Sequence, residues 1–227
     1  MPRARTRKDY RLAAATQYGQ GGGCLSDFTI VPLTVLFVSA ILASFAWKTD
    51  LLPMDAPSNS MSTAISPIFR MEVQHWAHSI SEWAGASNLN PNLVATIMQI
   101  ESCGDPRALS SAGAMGLFQV MPFHFLATDD PYNPNANAAR GLAYLAHALE
   151  TANGDARLAM AGYNGGIGII QRTEWTWSAQ TKRYVQYGAP IYQDALNGRE
   201  SSSALDEWYA HYGVSLCKQA HLRLGLP

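Results

Sequence analysis

Asn92-Leu93-Val94-Ala95-Thr96-Ile97-Met98-Gln99-Ile100-Glu101-Ser102 is the stretch on which the reading of this chain turns. Pro91 opens it as a helix. Advancing about 100° per residue from Leu93 places Ile100, Leu93, Ile97, Val94 and Met98 on one continuous arc. Asn92, Ala95, Thr96, Gln99 and Ser102 take the opposite face, and Glu101 falls inside the apolar arc, between the directions of Ile97 and Val94. A carboxyl group aimed into a core loses hydration, which disfavours its charged form and raises its pKa unless a cation meets it. That is the property a general acid needs near neutrality. On the helix alone two other readings stay open: neutralisation by an arginine such as Arg107 or Arg140, or escape of the carboxyl into solvent beyond the helix end.

Working outward, Ile68, Met71, Trp76, Ile80 and Trp83 recur at roughly helical spacing, with Gly85 as the stop. Downstream, Asn137 to Thr151, Asp155 to Tyr163, Ser178 to Leu196 and two shorter segments after Ser202 read as helices. No stretch keeps a period of two, and no repeat is present. The expected fold is therefore all-α with at most a very small β element.

Nearer the N-terminus, Phe28 to Trp47 is twenty residues without a charge, enough as a helix to match the hydrocarbon thickness of a bilayer. It is apolar all round and bracketed by Asp27 and Lys48, which favours a transmembrane helix over a buried core helix. Arg3, Arg5, Arg7, Lys8 and Arg11 precede it and keep that end in the cytoplasm, so the remainder faces outward. Ser44-Phe45-Ala46 offers a small-x-small cleavage site, so the outer part is either anchored or, if cut after Ala46, secreted. The expected organisation is a basic, Gly-rich tail over 1–27, a signal anchor over 28–47, a Pro- and Ser-containing flexible linker over 48–67, and a folded domain over 68–227.

Beyond residue 27, 11 basic residues face 15 acids. That balance lacks the footprint that phosphate backbones require, so nucleic acid is excluded as a partner. Cys103 and Cys217 both fall on the oxidising side of the span, where a disulfide between them is expected; two free buried thiols are the alternative. Glu72, His75 and His78 lie at successive threes on one helix, but packing and surface roles explain them better than a metal site, and no cofactor is expected. No Ser-His-Asp partners can be chosen. Asp105 precedes Pro106, the pair Asp129-Asp130 precedes Pro131, and Asp155 follows Gly154 at a helix start, each an ordinary turn or capping position.

A family resemblance rests on Glu101-Ser102, Ser110, Gly116-Leu117-Phe118-Gln119-Val120-Met121-Pro122, Ala161-Gly162-Tyr163-Asn164-Gly165-Gly166 and Thr181-Lys182-Arg183-Tyr184-Val185. In this order they resemble the SLT-type lytic transglycosylases, relatives of goose-type lysozyme. The resemblance implies a lysozyme-like domain that cleaves the β-1,4 bond between N-acetylmuramic acid and N-acetylglucosamine in peptidoglycan. It implies that Glu101 is the single catalytic acid and base, with the substrate's N-acetyl group assisting and the C6 hydroxyl closing a 1,6-anhydro ring. It further implies substrate-binding roles for Ser110, Gln119, Met121, Tyr163, Asn164 and Tyr184. Phe118 stands where Met is usual, and Gly162 where a second Ala is commoner. A hydrolytic muramidase on the same scaffold and a non-catalytic glycan-binding module are the alternatives. Glycan strands and the membrane are the expected partners; the sequence identifies none in cell-wall or secretion machinery.

Overall fold

The computed structural model describes residues 65–227, and in that part helices form where capping residues meet apolar runs. In chain order they are α1 (Met71–Gln74), α2 (Ala77–Ala86), α3 (Pro91–Glu101), α4 (Pro134–Thr151), α5 (Ala156–Gly165), α6 (Ala179–Leu196), α7 (Ser203–Trp208) and α8 (Val214–Leu224). Among the described residues there is no strand, only the isolated bridges Leu109 to Met115 and Met115 to Val120. The expected span over 28–47 and the segments around it lie outside the described residues. Among the described residues no helix is long and apolar enough to cross a membrane.

α3 is the central helix. The Asn90 side chain accepts from Asn92 N at 2.9 Å and Pro91 fills a first-turn position, so the start is doubly specified. Every residue from Leu93 to Gln99 is buried, including the face opposite the apolar arc. Those polar side chains are satisfied internally, as burial demands. Thr96 Oγ1 donates to Asn92 O at 2.7 Å, and Gln99 Oε1 accepts from Arg70 N at 3.1 Å. α1, α2 and α6 pack around it.

The upstream helix departs from expectation in two ways. It is broken between Gln74 and Ala77, because the Trp76 indole N–H turns away to donate to Gly104 O at 2.9 Å. It also runs through Gly85, and the left-handed residue that ends it is Asn88, with φ 52°. Leu89 N then closes back on Ala84 O at 2.9 Å. α4 begins three residues before Asn137, since Asn133 caps Asn135 N and Ala136 N ahead of Pro134. The cap of α5 is Asp155 and that of α6 is Ser178.

Packing reaches back to Ile65 and Ser66, both buried; Ser66 N donates to Asn92 Oδ1 at 2.7 Å. At the other end, α8 returns to the loop after α3. Cys103 and Cys217 are joined in a disulfide with Cα atoms 5.0 Å apart. Asp105, fully buried, accepts from Arg223 Nη1 at 2.5 Å and from Arg107 N at 2.9 Å. Glu72 on α1 meets His221 Nδ1 at 3.3 Å.

Candidate active site

Glu101 is the last residue of α3, and the three residues after it fix its direction. Ser102 Oγ donates to Leu117 O at 2.7 Å and accepts from Gly104 N at 3.1 Å, while Cys103 adopts a left-handed backbone with φ 51°. The chain therefore turns sharply away, leaving the glutamate to face a cleft. Glu101 is half-buried as a residue, yet its carboxyl is ringed by protein. Loss of hydration pushes its pKa from the ordinary 4.5 up to about 7, opposed only by the Tyr184 hydroxyl. That hydroxyl meets no partner in strict hydrogen-bond geometry, yet it lies near enough to Glu101 to favour the carboxylate.

Neither arginine considered from the sequence neutralises the glutamate. Arg140 is engaged by Asp129, with Nε to Oδ2 at 2.7 Å and Nη2 to Oδ1 at 3.2 Å. Arg107 is exposed. Burial without a cation is thus the dominant influence on Glu101.

The cleft has two lobes that share Asn164. The first holds Glu101 together with Gln180, Arg183, Tyr184 and Tyr187 from α6, and is closed by Trp208 and Tyr212. The second is lined by Gln119, Met121, Phe123, His124, Tyr144 and Tyr163. Among the described residues lining the two lobes, Glu101 is the only acid. Ring follows ring in the second lobe: centroids are 4.5 Å apart for Phe123 and His124, 4.9 Å for His124 and Tyr144, and 5.8 Å for Tyr144 and Tyr163. Such flat apolar faces suit the C–H faces of sugar rings.

Five of the six residues that the resemblance assigns to substrate line the cleft. Gln119 adopts φ 48° and lines the second lobe; its Nε2 donates to Gly116 O at 3.0 Å, which leaves Oε1 as an available acceptor. Met121 lines the same lobe. Tyr163 Oη donates to Phe118 O at 2.7 Å, and burial holds its pKa well above the ordinary value, with the Glu101 charge adding to the effect. Asn164 Oδ1 accepts from Thr181 Oγ1 at 3.0 Å, freeing its amide N–H groups for a ligand. Tyr184 is buried and likewise shifted upward, first by desolvation and then by Glu101. Ser110 differs: its Oγ accepts from Ala114 N at 2.9 Å inside a tight turn, and it lines neither lobe.

Gly116 has a specific steric role. With φ +74°, a Cβ there would stand 2.3 Å from Asn137 Nδ2 and 3.0 Å from Pro131 O. Asn137 uses that space to clamp the Gly116–Gln119 segment, donating to Met115 O at 2.8 Å and Pro131 O at 2.9 Å and accepting from Phe118 N at 2.9 Å. Sequence reasoning misses this clamp, because Asn137 reads as an ordinary helix residue. It also misses Phe123, His124 and Tyr144, and the Gln180-Arg183-Tyr187 face. The spacing of that face, three then four residues, is the available signal.

The three residues weighed as a metal set are dispersed: His75 packs edge-on to Trp76, His78 pairs with Glu82 at 3.3 Å, and Glu72 turns to His221. Glu72 also lies near Cys103 and Cys217, but those sulfurs are bonded to each other. The acids assigned to turns and caps act so: Asp129 accepts from Leu126 N, Asp130 from Tyr132 N and Asp155 from Leu158 N.

Comparison with known proteins bears on the same residues. The transglycosylase SLT domain family matches residues 78–186. The chain is 38% identical over 111 residues to the transglycosylase of Enterobacteria phage PRD1, covering 48% of this chain and 40% of that protein. It is 37% identical over 82 residues to the endo-type membrane-bound lytic murein transglycosylase A of Klebsiella pneumoniae, covering 39% of that protein. The chain thus spans about 40% of the length of these curated relatives. Among solved structures, an inactive variant of the lytic transglycosylase Slt from Pseudomonas aeruginosa aligns with TM-score 0.45 and 27% identity, over 55% of this chain and 25% of that one.

Proposed function

Because residues 78–186 match the transglycosylase SLT domain family, we propose that this chain is a lytic transglycosylase that cleaves peptidoglycan glycan strands with Glu101 as its single acid and base. The supporting observation is one enclosed carboxyl, pKa about 7, unmatched by a cation and placed in a cleft with no other lining acid. A glycosidase that uses two carboxylates flanks the scissile bond with a pair roughly 5 to 9.5 Å apart. Here the second group must come from the substrate.

In the proposed reaction the glutamic acid O–H gives its proton to the bridging oxygen between N-acetylmuramic acid and N-acetylglucosamine. The bond from that oxygen to the muramyl C1 breaks, and the carbonyl oxygen of the substrate's own acetamido group supports the positive charge left on C1. The Glu101 carboxylate then takes the proton of the C6 hydroxyl as that oxygen closes on C1, which gives a 1,6-anhydro ring and restores the acid. A pKa about 7 suits both halves of this cycle, since neither protonation state is far from reach. Asn164 and Gln119 offer amide groups to the sugar, and Met121 and Tyr163 offer apolar faces. Ser110 serves by shaping the loop. The span over 28–47 would hold the domain outside the cytoplasm, beside its substrate.

Digestion of purified sacculi followed by mass spectrometry tests the reading. Muropeptides ending in 1,6-anhydro-muramic acid are expected. Reducing ends alone would assign the chain to hydrolytic muramidases, and undiminished cleavage by Glu101→Gln would remove Glu101 from the chemistry.

A further inference from the structure

The two lobes differ in charge: the first is lined by Glu101 and Arg183, the second by no Lys, Arg, Asp or Glu. Arg183 is exposed in the first lobe, and among the described residues its guanidinium has neither an ion pair nor a hydrogen bond. Its neighbour Lys182, by contrast, is already committed to Trp175 O at 2.8 Å. Arg183 is nevertheless not loose: its Cζ lies 5.6 Å from the centroid of the Tyr212 ring, and Tyr212 packs edge-on to Tyr187 at 5.7 Å. Stacking orients the planar fork and leaves its N–H edge open, the arrangement that suits a carboxylate. Glu101 lines the same lobe without pairing with Arg183, and Glu207, outside the lining, accepts from the Tyr187 hydroxyl at 3.4 Å and forms no ion pair with Arg183 either. Tyr212 and Trp208 come from the helices after residue 196, outside the matched domain. Arg183 itself lies within the matched residues, so a wall from outside that range meets a cation from inside it.

Building on the proposed activity, we infer that Arg183, supported by Tyr212, is a subsite for the carboxylates of the peptide stem carried by the muramyl residue. Arg183 immediately precedes Tyr184, whose side chain faces Glu101, so the cation flanks the reacting sugar without entering the chemistry. Gln180, one turn earlier on α6, lines the same lobe and supplies an amide for the peptide backbone. The second lobe, whose lining holds no Lys, Arg, Asp or Glu, receives the sugar faces. The enzyme therefore reads strands that still bear their acidic stems. An interaction remote from the breaking bond is made equally in the ground and transition states, so its loss raises KM more than it lowers kcat.

The test compares three substrates with the full-length protein: native strands, strands whose stem carboxyls have been amidated, and strands stripped of stems by an amidase, which keep only the lactyl carboxylate. Wild type is expected to favour native over amidated strands by about tenfold in kcat/KM, the size of one exposed charge-assisted contact. Arg183→Gln should bring that ratio close to one, Arg183→Lys should keep part of it, and Tyr212→Leu should weaken it with the charge intact. A native-to-amidated ratio that Arg183→Gln leaves unaltered overturns the inference, as does an equal loss on all three substrates. An Arg183-dependent preference retained on stripped strands would place the anion on the sugar and overturn the stem assignment. These failures leave wild-type anhydro products in place. Their absence with every substrate sinks instead the proposed activity, and this subsite with it.

Discussion

Within five residues the chain passes from an acid left uncompensated to an acid fully paired, and the contrast separates chemistry from scaffold. Glu101 faces a cleft in which no cation pairs with it, and its pKa is pushed up to about 7. Asp105 is more deeply buried, yet the Arg223 guanidinium and the Arg107 backbone amide answer it, and Cys103, between the two acids in sequence, is bonded to Cys217. Burial alone therefore does not mark a catalytic carboxyl; burial without an opposite charge does. The paired side also serves the open one, because α8 pins the loop that leaves Glu101 and so holds the acid at the mouth of the cleft.

The largest expected effect comes from breaking the open side. Glu101→Gln keeps shape and loses the proton, so turnover of sacculi should fall by about 10³-fold or more while the fold persists. Loss of under tenfold would show that another group carries the proton. Second comes the staple on the paired side. Cys103 and Cys217 are 114 residues apart, and replacing both with Ser should cost roughly 4 kcal/mol of stability by loop entropy, read as a lower denaturant midpoint. An unchanged midpoint would mean that the ion pair and packing hold α8 by themselves.

Third is the stability cost of keeping Glu101 uncompensated. Its folded pKa of about 7 exceeds the ordinary 4.5, so the unfolded chain loses the proton first as pH rises. Stability is full below about pH 4.5, falls between there and pH 7, and then levels at a loss of up to about 3 kcal/mol. Glu101→Gln escapes this loss. Its melting temperature should match wild type at pH 4 and exceed it at pH 8; the reverse order would contradict the raised pKa. Fourth, Asp105→Asn retains the acceptor for Arg107 N but removes the charge facing Arg223. A cost of about 2 kcal/mol is expected, below the range for fully enclosed pairs because Arg223 is partly exposed. Turnover per folded molecule should be little altered, and a large drop would make Asp105 a positioning residue.

The open side is far more legible in the sequence than the cleft around it. The α3 arc and the inward direction of Glu101 follow from local periodicity, which needs only eleven consecutive residues. Where tertiary contacts override local pattern, periodicity misleads. Trp76 breaks a continuous helical signal because its indole reaches Gly104, 28 residues away. Gly85 reads as a stop, yet a nearby asparagine, Asn88, takes that role in a left-handed conformation. The face opposite the α3 arc carries polar side chains, and its burial depends on partners such as Arg70 N that periodicity cannot supply. The cleft's far wall depends on Trp208 and Tyr212 folding back onto α6, and Asn137 clamps a loop some twenty residues upstream. No spacing rule connects those positions.

The smallest effect sharpens the comparison most, since it tests what sets the pKa of Glu101 when no cation pairs with it. The Tyr184 hydroxyl lowers that pKa against the larger pull of desolvation. Tyr184→Phe removes a stabiliser of the carboxylate and leaves the ring in place, so the pKa should rise above about 7, by up to about one unit. The protonated acid is the form that starts the reaction, so kcat/KM of wild type should decline with a midpoint near pH 7. The variant's decline should move to higher pH, with only a few-fold lower rate at pH 6, where both proteins are largely protonated. A downward move would mean that the hydroxyl donates elsewhere and favours the acid form. No move would mean that the Tyr184 hydroxyl does not act on Glu101 when substrate is absent, leaving hydration loss as the sole control on the proton.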